Sequence, residues 1–224
     1  MVHYYHGGRT HGKTELDTTQ ENHKKIGIDA PETPCCLRLV KAGIFGYIAN
    51  QNPQLEKYMA QAFVCIGSNM GDAKEHLLAA HKALDSIPGV RVARASSYYE
   101  TEPQGRKDQP WFLNQVLCLE CADEVTALSL MDAMLEKESE LGRVRDTNDR
   151  FGPRVIDMDL LLFGQEVHNA DAHLIVPHPR MHERAFVLVP LAELAPQQIV
   201  PGLGTVENLL KKLDYRLEGS AIFQ

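Results

Sequence analysis

Asp157 and Asp159 stand two residues apart in the run Arg154-Val155-Ile156-Asp157-Met158-Asp159-Leu160-Leu161-Leu162-Phe163. Val, Ile, Leu and Phe dominate this run and Gly164 closes it, a composition that predicts a β-strand. Residues i and i+2 of a strand share a face and lie ~6.5 Å apart. The two carboxylates are therefore expected to point the same way, while Ile156, Met158, Leu160 and Leu162 face a core. Like charges so placed repel, and burying them is costly unless a cation intervenes. Mg²⁺ suits the position, because it prefers carboxylate oxygens and usually shares its shell with substrate phosphates. The spacing alone leaves a plainer alternative open, an exposed strand face whose acids pair with Arg or Lys.

Arg143, Arg145, Arg150 and Arg154 crowd the approach to this strand, with the acidic stretch Asp146-Thr147-Asn148-Asp149 among them. Arginine gives planar, bidentate hydrogen bonds to phosphate oxygens. Gly142, Gly152 and Pro153 mark the intervening chain as loop. Carboxylates for Mg²⁺ beside arginines for phosphate are the equipment of phosphoryl transfer, in which positioning and charge neutralisation do most of the catalysis. Salt bridging among the same groups remains the competing reading.

The elements that must hold these groups follow from the hydrophobic pattern. Ala62 to Gly67 reads as a short apolar strand. The turn Gly67-Ser68-Asn69-Met70-Gly71-Asp72 ends on an acid that can cap a helix from Ala73 to Ser86, with Leu77, Leu84 and Ile87 on one side. No Gly-Lys-Ser/Thr follows, so the turn is not a phosphate-binding P-loop. Pro88-Gly89 turns the chain into an alternating strand from Val90 to Tyr99, and Asn114 to Cys121 is its expected neighbour. Asp123 is expected to cap a second helix to about Leu141, with Val125, Leu128, Met131, Leu135 and Glu138 near one stripe and Gly142 ending it. With the aspartate strand fourth, the order β-α-β-β-α-β predicts an α+β ferredoxin-like sandwich, an antiparallel sheet of about four strands with helices packed on it.

The remaining features bound the function class. The chain has 224 residues, which fits a domain over 60–224 preceded by an extension over 1–59. From Ala60 onward 16 Lys and Arg face 24 Asp and Glu, an excess of eight acids that argues against nucleic acid as a partner. No apolar run approaches the ~20 residues that span a bilayer. Five cysteines without framework spacing, and a polar N-terminus, fit a cytoplasmic location. Cys118-Leu119-Glu120-Cys121 lies in an expected strand, where i and i+3 face opposite sides, so it reads as no redox or zinc pair. The extension carries His3, His6, His11 and His23 among Gly and Thr and reads as a flexible tail, or as an upstream misreading of a start at Met59. His178 and His182 have i, i+4 metal-pair spacing, but Pro179 and the missing Glu argue against a metalloprotease pattern.

The segment Arg150-Phe151-Gly152-Pro153-Arg154-Val155-Ile156-Asp157-Met158-Asp159 resembles the signature of the 6-hydroxymethyl-7,8-dihydropterin pyrophosphokinase family of folate biosynthesis. Phe63 to Asn69, Tyr98 to Pro103, Phe112-Leu113-Asn114, Glu138 to Arg145, and Val176 to Phe186 are similar to that family in the same order, over about residues 61 to 215. The resemblance implies transfer of pyrophosphate from ATP to the hydroxymethyl group of 6-hydroxymethyl-7,8-dihydropterin, with AMP leaving. It implies that Asp157 and Asp159 ligate two Mg²⁺ ions, and that Arg143 and Arg154 contact phosphates and stabilise the transferring group. Glu138, His178 and Arg184 would line the ATP site, with Leu160 beside adenine. Thr101, Pro103, Phe112, Asn114, Phe151 and Phe186 map to the pterin pocket. Phe112 and Phe186 offer ring faces, and Asn114 offers both a donor and an acceptor to an aminopyrimidinone edge. Phe151 replaces the usual Trp, which keeps a stacking lid but loses an indole donor, and the 146–149 loop is longer and more acidic than usual.

The expected enzyme is a monomer acting on two small molecules, with ATP as co-substrate and no convincing protein general base. Two other classes remain open on the residues alone: a metal-dependent phosphohydrolase, and a ferredoxin-like binding module without catalysis.

Overall fold

The computed structural model describes residues 58–144, 152–171 and 173–224. Most of the expected extension, Arg145, Arg150, the acidic 146–149 stretch and Phe151 lie outside the described residues. Strands β1 (Tyr58–Ser68), β2 (Val90–Ala95), β3 (Tyr99–Thr101), β4 (Phe112–Ala122) and β5 (Asp157–Phe163) build the centre, with α1 (Ala73–Asp85) and α2 (Ala127–Glu140) between them. Then come β6 (His168–Asp171), β7 (Leu174–Val176), a 3₁₀ turn (Met181–Glu183), α3 (Ala185–Leu194), β8 (Ile199–Val200), β9 (Gly204–Thr205), α4 (Val206–Leu210), β10 (Arg216–Glu218) and β11 (Ala221–Phe223). The expected α+β character holds, but the sheet is not a four-stranded antiparallel one. It has seven strands in the order β10-β11-β3-β4-β1-β5, with β2 also paired to β4, and β11 runs parallel to β3. The expected Val90–Tyr99 strand is two strands, because β2 pairs the far half of β4 and β3 pairs its first residues. Among the described residues no helix is long and apolar enough to cross a membrane.

Alternation along β1 sorts side chains to the two faces of this sheet. Ala62, Val64 and Ile66 join Leu77, Ala80 and Leu84 of α1 and Leu130 and Met134 of α2. Phe63 and Cys65 point the other way and join Val187, Leu188 and Leu191 of α3 and Leu209 of α4. The aspartate strand follows β1 with one irregularity. Phe63 faces Leu162 while Val64 faces Leu160, so Leu161 is an extra residue in β5. Leu161 and Leu162 therefore both sit in the α3-side cluster, and Phe163 crosses to the other. Ile156, Met158 and Leu160 face the α1/α2 side as expected, but Leu162 does not.

Local capping explains where the helices stand. Asp72 Oδ1 accepts the Glu75 N–H at 3.1 Å and starts α1 as expected. The second helix is capped by Thr126 rather than Asp123, through a reciprocal box with Ser129. Its buried stripe is Ala127, Leu130, Met134 and Glu138, and Leu128 turns outward, 47% exposed. At its C-terminus Gly142 takes φ 88°. The Gly142 N–H then donates to the Ser139 carbonyl and the Arg143 N–H to the Glu138 carbonyl, both at 3.0 Å. This left-handed closure turns the chain back and delivers Arg143 beside Glu138.

Candidate active site

The ends of β1, β3, β4 and β5 on the α3 side of the sheet open into a cavity of about 500 Å³. Its floor comes from register. Gly67 stands opposite both Asp157 and Asn114, and Cys65 stands opposite Asp159. Asp157 and Asp159 line it together, as do Arg143, Arg154, His178, Arg184, Thr101, Phe112, Asn114 and Phe186. The structure thus gathers ten of the expected site residues around one space.

At one end the charges are interlocked. Asp157 pairs with Arg154, and with Arg143 at 2.6 Å. Arg184 Nη1 lies 3.5 Å from Asp159 Oδ2, and its guanidinium lies 5.4 Å from the centroid of the Phe186 ring. Arg184 Nε is buried without a hydrogen-bond partner. Burial and the neighbouring Asp157 charge push the Asp159 carboxyl up to about 7. Burial, then the cations Arg184 and Arg180, lower His178 to about 4. The Arg180 N–H donates to His178 Nδ1 at 3.1 Å, so the neutral ring carries its proton on Nε2.

The other end has no arginine and is built from amide, hydroxyl and aromatic groups, with Glu102 next to Thr101. Asn114 and Thr101 are buried, and Asn114 Nδ2 donates to Thr101 Oγ1 at 2.6 Å. A Cβ on Gly67 would fall 2.4 Å from Asn114 Oδ1, so only glycine leaves room for that amide. Phe112 and Phe186 are half-buried and border the same space.

Three expected site residues stand elsewhere. Leu160 points into the α1/α2 core, because it alternates with Asp159, so its side chain cannot flank a nucleotide in the cavity. Pro103 is buried and does not line the cavity. Glu138, 1% exposed, stands behind Arg143; it pairs with that arginine and accepts the Met158 N–H of edge strand β5 at 2.7 Å. It orients the arginine rather than lining the cavity. His178 and His182 are not one face of an α-helix, since Met181–Glu183 is a 3₁₀ turn.

Several residues were not anticipated. Cys65, Gly67, Glu102, Gln104, Gly105, Gln109, Pro179 and Arg180 also line the cavity. Asn69 joins its two ends from beneath. Its Oδ1 accepts the Arg154 N–H at 2.7 Å, and its Nδ2 donates to Gln109 Oε1 at 3.1 Å and to the Pro110 carbonyl at 3.0 Å. An amide in a tight turn after a buried strand was the available signal. Among the described residues no cluster of three or more His, Cys, Asp or Glu could hold a metal by itself. Two hard carboxylates that repel each other still fit Mg²⁺, which takes its other ligands from water and phosphate.

Comparison with known proteins points to one family. The family model described as 7,8-dihydro-6-hydroxymethylpterin-pyrophosphokinase (HPPK) matches residues 63–196. A Methylorubrum extorquens protein named 2-amino-4-hydroxy-6-hydroxymethyldihydropteridine pyrophosphokinase is 45% identical over 157 residues, which is 70% of this chain and 95% of that protein. A Bacillus subtilis protein of the same name is 43% identical over 136 residues, 61% of this chain and 78% of its own. A crystal structure of Plasmodium falciparum HPPK-DHPS with pteroate superposes with a TM-score of 0.51 at 12% identity, covering 69% of this chain and 42% of that one. That likeness concerns the fold, and this chain spans less than half of the solved one.

Proposed function

This chain belongs to the 7,8-dihydro-6-hydroxymethylpterin-pyrophosphokinase family, and we propose that the cavity bounded by β1, β3, β4, β5 and α3 is where it works. The enzyme transfers the pyrophosphoryl group of ATP to the hydroxymethyl oxygen of 6-hydroxymethyl-7,8-dihydropterin and releases AMP. One observation carries the assignment of the site. A single cavity has Asp157, Asp159 and four guanidiniums at one end, and two aromatic rings with a buried Asn–Thr pair at the other.

The pterin lies between Phe112 and Phe186, with its polar edge on Asn114 and Thr101. Stacking of this kind adds ~0.5–1.5 kcal/mol beyond area burial. Arg143, Arg154 and Arg184 hold the phosphate oxygens, and the Nε2 proton of His178 adds a neutral donor. Asp157 and Asp159 would hold Mg²⁺, two ions by analogy with the family. When bound, the ions offset the charge of the triphosphate and lower the pKa of the attacking hydroxyl. The protein's part is to bring that hydroxyl in line with the β-phosphorus and to keep the charged tail in a fixed array of donors. We read the enzyme as a monomer acting on small molecules.

The test is to incubate the protein with ATP, Mg²⁺ and 6-hydroxymethyl-7,8-dihydropterin and to separate the products. Stoichiometric AMP and pterin diphosphate support the reading. Inorganic phosphate with unmodified pterin points to a phosphohydrolase, and no turnover at all to a binding module.

A further inference from the structure

Arg184 and Phe186 flank the first residue of α3, and both face the cavity. The turn that holds them lacks a cap of its own. Arg184 occupies the cap position and makes no side-chain cap hydrogen bond. Ala185 is fully buried, so its N–H cannot turn to water. The partner is Gln224, the residue after β11. Gln224 Oε1 accepts the Ala185 N–H at 2.8 Å, and Gln224 Nε2 donates to the Glu183 carbonyl at 2.8 Å. One exposed amide thus holds both sides of Arg184.

The strand that leads into Gln224 is itself anchored to the pterin end. Ile222 stands opposite Thr101 in parallel register and packs, 1% exposed, with Ala185 and Val189. The Glu100 N–H donates to the Ser220 carbonyl at 2.9 Å. Phe223 meets Trp111 edge-on at 5.2 Å, one residue before Phe112, and the Arg216 guanidinium lies 4.2 Å from the Phe223 centroid. The strand and the residue after it therefore touch both walls of the slot, the Thr101 wall through the backbone of β11 and the Phe186 wall through Gln224.

We propose that Gln224 is a positioning residue for pterin binding. It caps α3 from the end of β11 and so holds Phe186 and Arg184 in place against Thr101 and Asn114. The proposal rests on Phe186 being a wall of the pterin slot, as the reading above has it. Gln224 touches no substrate. Without the cap the first turn of α3 opens more often, and only the closed turn presents the Phe186 ring.

The experiment compares the full-length protein with Q224A and Q224E, measuring 6-hydroxymethyl-7,8-dihydropterin affinity with a non-hydrolysable ATP analogue present, and hydrogen exchange at the Ala185 amide. Loss of a helix N-cap corresponds to about a fivefold change in an equilibrium constant. Q224A is expected to speed exchange at Ala185 by about that factor and to weaken the pterin measurably, by up to that factor, in proportion to the closed fraction lost. Q224E keeps the acceptor for the Ala185 N–H, with a charge that suits a helix N-terminus, but cannot donate to the Glu183 carbonyl, so its affinity should fall between those of Q224A and wild type. A cap with only a structural role would lower the melting temperature of Q224A and leave pterin affinity in the folded protein unchanged, which overturns the proposal. Unchanged exchange at Ala185 overturns it as well. Wild-type turnover separates this from the parent reading: an active wild type with an indifferent Q224A rejects only the role of Gln224, whereas a wild type that neither binds nor converts the pterin rejects both.

Discussion

At the pterin end of the cavity Asn114 and Thr101 already satisfy each other at 2.6 Å, and Gly67 keeps the space above the amide clear. At the phosphate end Asp157 is held by Arg143 and Arg154, and Asp159 by a longer contact with Arg184. The first arrangement is a finished shape that a flat heterocycle enters without rearrangement. The second is a set of ion pairs. On the proposed reading its arginines serve phosphate and its acids serve metal, so a metal–nucleotide complex would exchange both partners at once. The contrast teaches that recognition here depends on fixed geometry, and chemistry on charges kept apart from their final partners. Changes at the two ends should therefore separate affinity from turnover, and stability from both.

The sharpest break in this contrast comes at Asp159. Burial and Asp157 raise its carboxyl to about 7, so the group favours the fold most when protonated. Its contribution is complete below the ordinary 3.8 and is lost as pH rises through about 7. An Asp159→Asn variant removes that penalty along with the metal ligand. Turnover should fall by ~10²–10³-fold, the scale for loss of one preorganised charge-stabilising group. Thermal unfolding without divalent ions at pH 8 should nonetheless give a melting temperature at or above wild type. Asp157→Asn should lose comparable turnover and gain no stability, because it leaves Arg143 and Arg154 facing each other. A destabilised Asp159→Asn protein would mean that this acid is structural.

At the pterin end a single methyl suffices. Gly67→Ala places a Cβ 2.4 Å from Asn114 Oδ1, so the amide must swing away and its hydrogen bond to Thr101 is lost. A buried polar group left unpaired costs ~1–3 kcal/mol, or about 5- to 150-fold in affinity. Titration calorimetry should find pterin binding weakened on that scale and binding of a non-hydrolysable ATP analogue close to wild type. Equal loss of both ligands would show that the ends are not independent.

The difference between the ends also decided what could be read from the chain. Asp157 and Asp159 were legible because alternation in a strand is a local rule, and β5 obeys it as far as Leu160. It fails at Leu161, since the extra residue is set by register against β1 and has no signal in β5 itself. Asp123 and Thr126 are both good caps, and Ser129, three residues after Thr126, supplied the reciprocal bond that decided between them. Resemblance put Glu138 in the nucleotide site; only the pairing of β5 shows that it serves an edge N–H and a neighbouring arginine. Asn69, Gln109 and the β11 strand act through partners 40 or more positions away in the chain. No periodicity reports such contacts. The assignment of the pterin residues Phe112, Asn114 and Phe186 came from resemblance, and the geometry adds the reason that Gly67 must lie beneath Asn114.

The smallest expected effect lies at His178, which stands among cations yet is kept neutral. Burial is the main cause of its lowered value of about 4, with Arg184 and Arg180 next and Asp157 opposing them. The Arg180 N–H also occupies Nδ1, so a second ring proton would displace a bond already made. The fold prefers the neutral ring, and its contribution is complete above the ordinary 6.5 and is lost as pH falls toward 4. His178→Gln keeps polar atoms and cannot charge, so the difference between wild type and variant isolates this one group from the other acids that titrate nearby. Denaturant unfolding should show wild type losing on the order of 1 kcal/mol more than His178→Gln between pH 7 and pH 5. If the two curves stay parallel, the ring protonates freely in the fold, and the phosphate end tolerates another positive charge without cost. It would then be less crowded with positive charge than its four guanidiniums imply, and its contrast with the pterin slot would rest on Asp157 and Asp159 alone.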